Sequence, residues 1–104
     1  MTWYPLGGKQ FETLEAVADY ARIVLHKAPL GVALDGEDEA FVHDLYSFHP
    51  EAEKKAGPGI DFFYVAVMPD WGTRNFLIYR SDWTYDNFSI KKCIASMRKQ
   101  LGSH

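Results

Sequence analysis

The sequence predicts an α+β fold in which N-terminal helices and a C-terminal helix pack on a small antiparallel sheet, a meander. Three observations predict it: helical periodicity up to about residue 56, aromatic and β-branched residues at 60–67, and renewed helical periodicity after residue 89. A chain of 104 residues is near the usual size of one domain. We therefore expect residues 1–104 to form a single domain.

Three helices are predicted in the first half of the chain. Thr13 is a suitable N-cap for a helix that runs to about residue 27, after a turn-rich entry at residues 6–9. Asp35 is the expected N-cap of a second helix, whose acidic first turn complements the positive end of the helix dipole. A short third turn follows at 51–55 and ends at Gly57.

The second half predicts three strands and a terminal helix. Residues 60–67 form a bulky apolar run, which predicts a strand covered on both faces. After a turn at 69–72, residues 74–80 are expected to pair back antiparallel, and a short strand follows around 84–87. Ser89 then caps a helix. The apolar stripe of that helix is Ile90, Ile94, Met97 and Leu101.

Composition and charge restrict the class of protein. The chain has no apolar run of the roughly 18 residues that a membrane span needs, and its start lacks the pattern of a targeting segment. One cysteine excludes an internal disulfide, which fits a reducing compartment. We therefore expect a cytoplasmic protein without a membrane partner.

The net charge of −3 is unevenly distributed. Residues 1–56 carry ten acids and five bases, whereas residues 57–104 carry six bases and four acids. Mild overall acidity argues against strong, sequence-independent nucleic-acid binding by the whole surface. If the protein meets a polyanion, the C-terminal half should face it.

Five short motifs occur in an order that resembles the DCL domain family, named for the plant "defective chloroplasts and leaves" protein. They are LGGKQF at 6–11, HP at 49–50, KAGPGI at 55–60, GTRNF at 72–76 and NFSIKKC at 87–93. The resemblance covers about residues 5–95, and the chain is similar to small stand-alone bacterial members.

The resemblance implies an RNA-associated context. The plant namesake is implicated in chloroplast ribosomal RNA maturation, and a similar domain lies in the tail of a plant RNA polymerase largest subunit. It implies no catalytic residues. Two departures matter: Trp83 replaces the glycine of an Asp-Gly-Ser turn, which argues against a positive φ there, and Asn87 replaces an aspartate.

The candidate binding residues lie in the last third of the chain. The RNA- or anion-binding candidates are Arg74, Arg80, Ser89, Lys91 and Lys92, and the stacking candidates are Phe76 and Tyr85.

Alternation along 74–80 places Arg74, Phe76, Ile78 and Arg80 on one face of a strand. Arginines beside aromatic rings on a sheet are typical of single-stranded RNA binding. The alternative, which we favour, is that Phe76 and Ile78 are core and that the arginines pair with aspartates at the strand ends.

Lys91 and Lys92 lie in the first turn of the terminal helix, where their charge opposes the helix dipole. Together with Ser89 and the free backbone N–H groups they form a candidate phosphate site. Simple solvation, or pairing with nearby acids, explains the two lysines equally well.

No catalytic residue, metal site or cofactor is predicted. Cys93 lies on the apolar stripe of the terminal helix, which favours a buried structural role. A nucleophilic pair of Cys93 with His49 would require the fold to bring the two residues together. A magnesium site built from the four C-terminal aspartates is less favoured than acids in surface turns. Those aspartates are Asp61, Asp70, Asp82 and Asp86.

Three hypotheses about function follow. The leading one is a non-enzymatic RNA-associated module, with a role in ribosomal RNA maturation implied by the resemblance and with RNA or a ribonucleoprotein as partner. The alternative is a protein-interaction domain of a larger transcription or RNA-processing assembly, with Trp3, Trp71 and Trp83 as anchors. A metal-dependent RNA-processing enzyme is the least favoured.

Overall fold

In the computed structural model the described residues are 4–70 and 72–101, and Trp3, Trp71 and the side chain of Leu101 lie outside this description. The described chain has four helices, a two-stranded sheet and a three-stranded sheet, so the predicted α+β class is confirmed. In order the elements are β1 Tyr4–Leu6, β2 Lys9–Phe11, α1 Leu14–Lys27, α2 Gly36–Tyr46, α3 Ala52–Ala56, β3 Ile60–Val67, β4 Arg74–Arg80, β5 Tyr85–Phe88 and α4 Ile90–Leu101.

The N-terminal entry, expected only as a turn, is a β-hairpin. Strands β1 and β2 pair antiparallel, and Gly7 and Gly8 both have positive φ, +60° and +83°, as a tight two-residue turn requires. The Gly7 N–H donates to Asp44 Oδ2 at 2.7 Å, and a Cβ at Gly7 would lie 2.5 Å from the backbone nitrogen of Phe41. Only glycine therefore lets the hairpin approach α2 this closely.

The predicted starts of α1 and α4 are confirmed. Ala16 N donates to Thr13 Oγ1 at 3.0 Å, and Lys92 N donates to Ser89 Oγ at 3.3 Å. Asp35 occupies the N-cap position of α2, but its side chain makes no capping hydrogen bond.

The three-stranded sheet has the predicted meander order β3-β4-β5, with both pairs antiparallel. The outer edge of β3 is partly covered by the loop after α1. Gly31 N donates to Val65 O and Leu34 N to Phe63 O, both at 2.8 Å. This loop shields backbone groups that would otherwise form an open sheet edge.

Only one face of this sheet packs against the helices. Phe63, Phe76 and Ile78 are buried on that face, and the Tyr46 ring of α2 contacts the rings of Phe63 and Phe88 at centroid distances of 5.5 and 5.0 Å. Helices α1 and α2 contact the sheet, and α4 packs on α1 and α2. The prediction that β3 is covered on both faces is therefore wrong, because its alternate residues point away from this helical layer.

Candidate nucleic-acid interface

Arg74, predicted as a phosphate contact, is bonded to the end of α1. Its Nη1 donates to Leu25 O at 3.0 Å and to Ala28 O at 2.8 Å. These carbonyls lie in and just after the last turn of α1, where they have no helical partner. The guanidinium therefore accommodates the end of a helix, and the side chain is partly buried.

Arg80 is held in a network that joins β4, β5 and α3. Its Nε donates to Lys55 O, its Nη1 to Thr84 Oγ1 at 3.1 Å, and its Nη2 to Asp86 Oδ2 at 3.4 Å. The Arg80 side chain is only 16% exposed. From the sequence we favoured the alternative in which the strand-end arginines pair with aspartates, and Arg80 does pair with Asp86.

Lys55 completes the network, since its Nζ lies 3.0 Å from Asp86 Oδ2. Burial alone would raise the pKa of Asp86. The hydrogen bond and charge of Lys55, the Asn87 N–H and the charge of Arg80 together outweigh burial and hold that pKa below its usual value. The carboxylate is thus ionised at neutral pH and neutralised by two cations.

The two stacking candidates lie in opposite environments. Phe76 is 1% exposed and stacks on Phe88 with a centroid distance of 6.0 Å, so no base can reach its ring. Phe76 is therefore not a stacking residue. Tyr85 is 65% exposed and remains a candidate.

Ser89, Lys91 and Lys92 are brought together at the N-terminus of α4. Ser89 caps the helix, and both lysine side chains are exposed. Within residues 4–70 and 72–101, neither lysine forms an ion pair. Their charge therefore opposes the helix dipole without a direct ion pair among the described residues.

The two lysines border different depressions. Lys91 borders one of about 360 Å³ with Arg74, Asn75, Asn87 and Ser89. Phosphate groups could approach Lys91 there beside the first turn of α4.

Lys92 borders the second depression, of about 450 Å³, together with His49, Glu51, Ser96 and Lys99. His49 Nδ1 accepts a hydrogen bond from Glu51 N at 3.0 Å. Burial lowers the pKa of His49, and the nearby charges of Lys55 and Lys92 lower it further. The imidazole is thus neutral at pH 7, with its proton on Nε2.

The outer face of the three-stranded sheet, which we call the open face, carries the predicted stacking candidate Tyr85 and three rings that were not predicted from the sequence. Its rings and amides belong to Phe62, Tyr64, Tyr79, Tyr85, Asn75 and Asn87. The rings of Phe62 and Tyr79 stack at 4.9 Å with planes 16° apart, and those of Phe62 and Tyr64 are 5.7 Å apart. Burial, followed by the proximity of Tyr85 and Tyr79, raises the pKa of Tyr64. Alternation of Phe62 and Tyr64 with Phe63 and Val65 was the signal that could have found this face.

The remaining candidates for chemistry are not assembled into a site. Cys93 is fully buried, and burial raises the pKa of its thiol to about 12, so no thiolate nucleophile forms at neutral pH. Across the described ranges, no three His, Cys, Asp or Glu side chains converge as a metal site would require. No described helix is long and apolar enough to cross a membrane.

Trp83 corrects one expectation. Because Trp83 stands where the family has a turn glycine, we expected no positive φ at this position. The φ of Trp83 is nevertheless +69°. Asp82 stabilises this turn, since its Oδ1 accepts from Thr84 N at 3.2 Å and from Thr84 Oγ1 at 2.6 Å. The indole is 81% exposed, as an interaction anchor would be.

Comparison with known proteins identifies the chain's relatives. It is 39% identical over 90 residues to Protein EMBRYO DEFECTIVE 514 of Arabidopsis thaliana, covering 86% of this chain and 45% of that protein. It is 30% identical over 99 residues to the chloroplastic Protein DCL of Solanum lycopersicum, covering 91% of this chain and 44% of the relative. The chain thus spans less than half the length of these two relatives.

The match also extends to a transcription enzyme subunit and to a solved structure. DNA-directed RNA polymerase IV subunit 1 of Arabidopsis thaliana is 27% identical over 89 residues, which are 86% of this chain and 6% of that subunit. The solution NMR structure of an uncharacterized protein from Rhodospirillum rubrum superposes with a TM-score of 0.79 at 28% identity, covering 100% of this chain and 97% of that one.

A family model described as "Protein of unknown function (DUF3223)" matches residues 22–94, well over half of the chain. The motifs at 49–50, 55–60, 72–76 and 87–93 all lie within this span, and two of the relatives matched over the chain are named DCL. The chain therefore belongs to the DUF3223 family of DCL-type domains.

Proposed function

We propose that this chain is a small, non-enzymatic module that contacts RNA, with Lys91 and Lys92 at the start of α4 as its main phosphate contacts. The observation that carries the proposal is the state of these two side chains. They are exposed and lack an ion pair within the described residues, yet they lie where a cation opposes the helix dipole by roughly 0.3–1 kcal/mol. A phosphate at the helix start would accept from the free N–H groups, and each lysine would contact a phosphate of its own because the two border different depressions.

The relatives support an RNA-associated context. One is named as a subunit of a DNA-directed RNA polymerase, and another is Protein DCL, whose family resemblance implies ribosomal RNA maturation. A role in ribosomal RNA processing is the finer form of this proposal.

Phe76 is buried and has no part in it, and the four other predicted residues have different parts. Arg74 and Arg80 act through the fold, because their guanidinium groups are bonded to backbone and to Asp86. Ser89 fixes the helix start, and Tyr85 is free to contact a base.

Salt dependence tests the proposal quantitatively. Two phosphate contacts on a single strand predict a slope of log K against log salt of about −1.4, or roughly sevenfold weaker binding from 50 to 200 mM salt. The ligand is a fluorescently labelled single-stranded RNA, and binding is followed by anisotropy.

The informative variant is Lys91→Gln/Lys92→Gln, and the matched control is Lys54→Gln/Arg98→Gln. Both lose two positive charges from exposed helical positions, and Arg98 lies about 10 Å along α4 from Lys91. We expect the first variant to lose most of the salt slope and the control to keep it. Equal slopes in the parent and the first variant would sink the proposal.

A protein-interaction domain is the second candidate, favoured by the exposed indole of Trp83. Affinity capture from native lysate, with and without ribonuclease, separates the two. Partners that survive ribonuclease and are lost with Trp83→Ala support protein docking, whereas partners released by ribonuclease support RNA.

A further inference from the structure

We propose that the open face stacks the bases of single-stranded RNA, with Tyr85, Tyr79 and Phe62 as the platform. The inference rests on the proposed function, because it assigns the bases of the same RNA whose phosphates contact α4. It concerns a different surface from the lysines and can fail separately.

The geometry of the rings fits base stacking. Phe62 and Tyr79 lie on neighbouring strands with nearly parallel rings, and Tyr85 is paired with Tyr79 on the next strand. Side chains on one face are about 5 Å apart between strands and about 7 Å apart along a strand. Sheets with aromatic side chains at such spacing bind two or three unstacked bases.

The chemistry of the open face suits a neutral aromatic ligand. Alternation places no Asp, Glu, Lys or Arg on this face of β3, β4 or β5. Leu77, the aliphatic residue at its centre, is only 2% exposed. The accessible groups are therefore ring faces, phenol hydroxyls and amides, which favours bases over an aliphatic protein surface.

The charge around the open face differs between the two ends of the sheet. Asn75 and Asn87 also line the depression that Lys91 and Ser89 border, so the open face and the cationic helix start are continuous. At the other end of the sheet, Asp61 and Glu39 share a depression with Phe62. A strand whose bases lie on the rings is thus directed with its phosphates toward α4.

The test compares two substitutions of the exposed tyrosine with two oligonucleotides. Tyr85→Leu removes the ring and Tyr85→Phe keeps it. The ligands are a labelled single-stranded RNA octamer and an octamer of abasic ribose phosphates with the same label, which keeps the phosphates and removes all the bases.

We expect Tyr85→Leu to weaken binding of the octamer roughly 5- to 160-fold, the range found when one stacking residue is removed, and Tyr85→Phe to change it less than twofold. The abasic octamer should bind the parent more weakly than the intact octamer, and Tyr85→Leu should not weaken it further. Far-UV circular dichroism should show both variants folded, because Tyr85 is mostly exposed.

The outcomes separate the two proposals. If the parent binds neither octamer, the proposed function fails, and this inference fails with it. If the RNA affinity still depends on Lys91 and Lys92 but is unchanged by Tyr85→Leu and by loss of the bases, only this inference is overturned. If sedimentation shows a dimer of the parent that Tyr85→Leu dissociates, a second copy occupies the open face and the inference is likewise overturned.

Discussion

Replacing Arg74 with methionine should destabilise the protein by about 2 kcal/mol without changing the RNA affinity of the folded chain. The guanidinium makes two hydrogen bonds to carbonyls at the end of α1, 3.0 and 2.8 Å long. Hydrogen bonds to charged groups contribute about 1.5–3 kcal/mol each when well buried. Because Arg74 is only partly buried, water can hydrate the freed carbonyls, and we reduce the sum of both bonds to about 2 kcal/mol.

Urea denaturation followed by far-UV circular dichroism measures this change. With a slope of about 2 kcal/mol/M, a loss of about 2 kcal/mol lowers the midpoint by about 1 M. Arg98→Met is the matched control, since Arg98 is exposed in the last turn of α4 and contributes at most a few tenths of a kcal/mol through the dipole.

Two results would refute this account of Arg74. One is a midpoint no lower than that of Arg98→Met, which would mean that the two bonds do not stabilise the fold. The other is a loss of RNA affinity of tenfold or more under conditions where Arg74→Met is fully folded. That loss would mean that Arg74 contacts phosphate directly.

Three further predictions concern other features. The free energy of unfolding, measured by urea denaturation, should be about 0.5–1 kcal/mol higher for Trp83→Gly than for Trp83→Ala. Both variants lose the indole, but only alanine is strained by the positive φ at this position. The reverse order would contradict that backbone geometry. Cys93 should resist an aromatic disulfide reagent at pH 8 for hours and react at once in urea, and fast labelling of the native protein would refute its burial. The lowered pKa of Asp86 contributes stability that is present above the unfolded pKa of about 3.9 and lost as pH falls through the folded pKa. Asp86→Asn should therefore be less stable than the parent at pH 7, with the gap closing below about pH 4; a gap that does not vary with pH would exclude this linkage.

Local rules were enough to predict most of the elements. Thr13 and Ser89 cap helices as predicted, because capping depends on a side chain and a backbone N–H only three residues apart. Strands β3 and β4 have the predicted bounds, since each is a long apolar run flanked by turn residues. The hairpin β1–β2 was missed because strands of three residues are too short to show alternation.

The partners of the arginines could not be predicted in the same way. Arg74 bonds to carbonyls 49 and 46 residues earlier in the chain, and Arg80 bonds to a carbonyl 25 residues earlier. Backbone carbonyls carry no sequence signal, and which of them lie near a strand end depends on how the helices pack. A cation in a sequence is therefore a candidate for binding only until the fold shows whether it already has an acceptor.

The side of the sheet that remains open is decided by the helical layer and not by β4 itself. Alternation separates Phe76 and Ile78 from Leu77 and Tyr79, but both sets are apolar enough to face a core. Burial of the first set by α1 and α2 removes Phe76 from any RNA platform and leaves Tyr79 beside Tyr85 on the outer side. Asn75 and Asn87 of the outer side border the same depression as Lys91, so the open face meets the start of α4 at that end of the sheet. Base stacking and phosphate binding are thus separable by mutation even though one strand of RNA would use both.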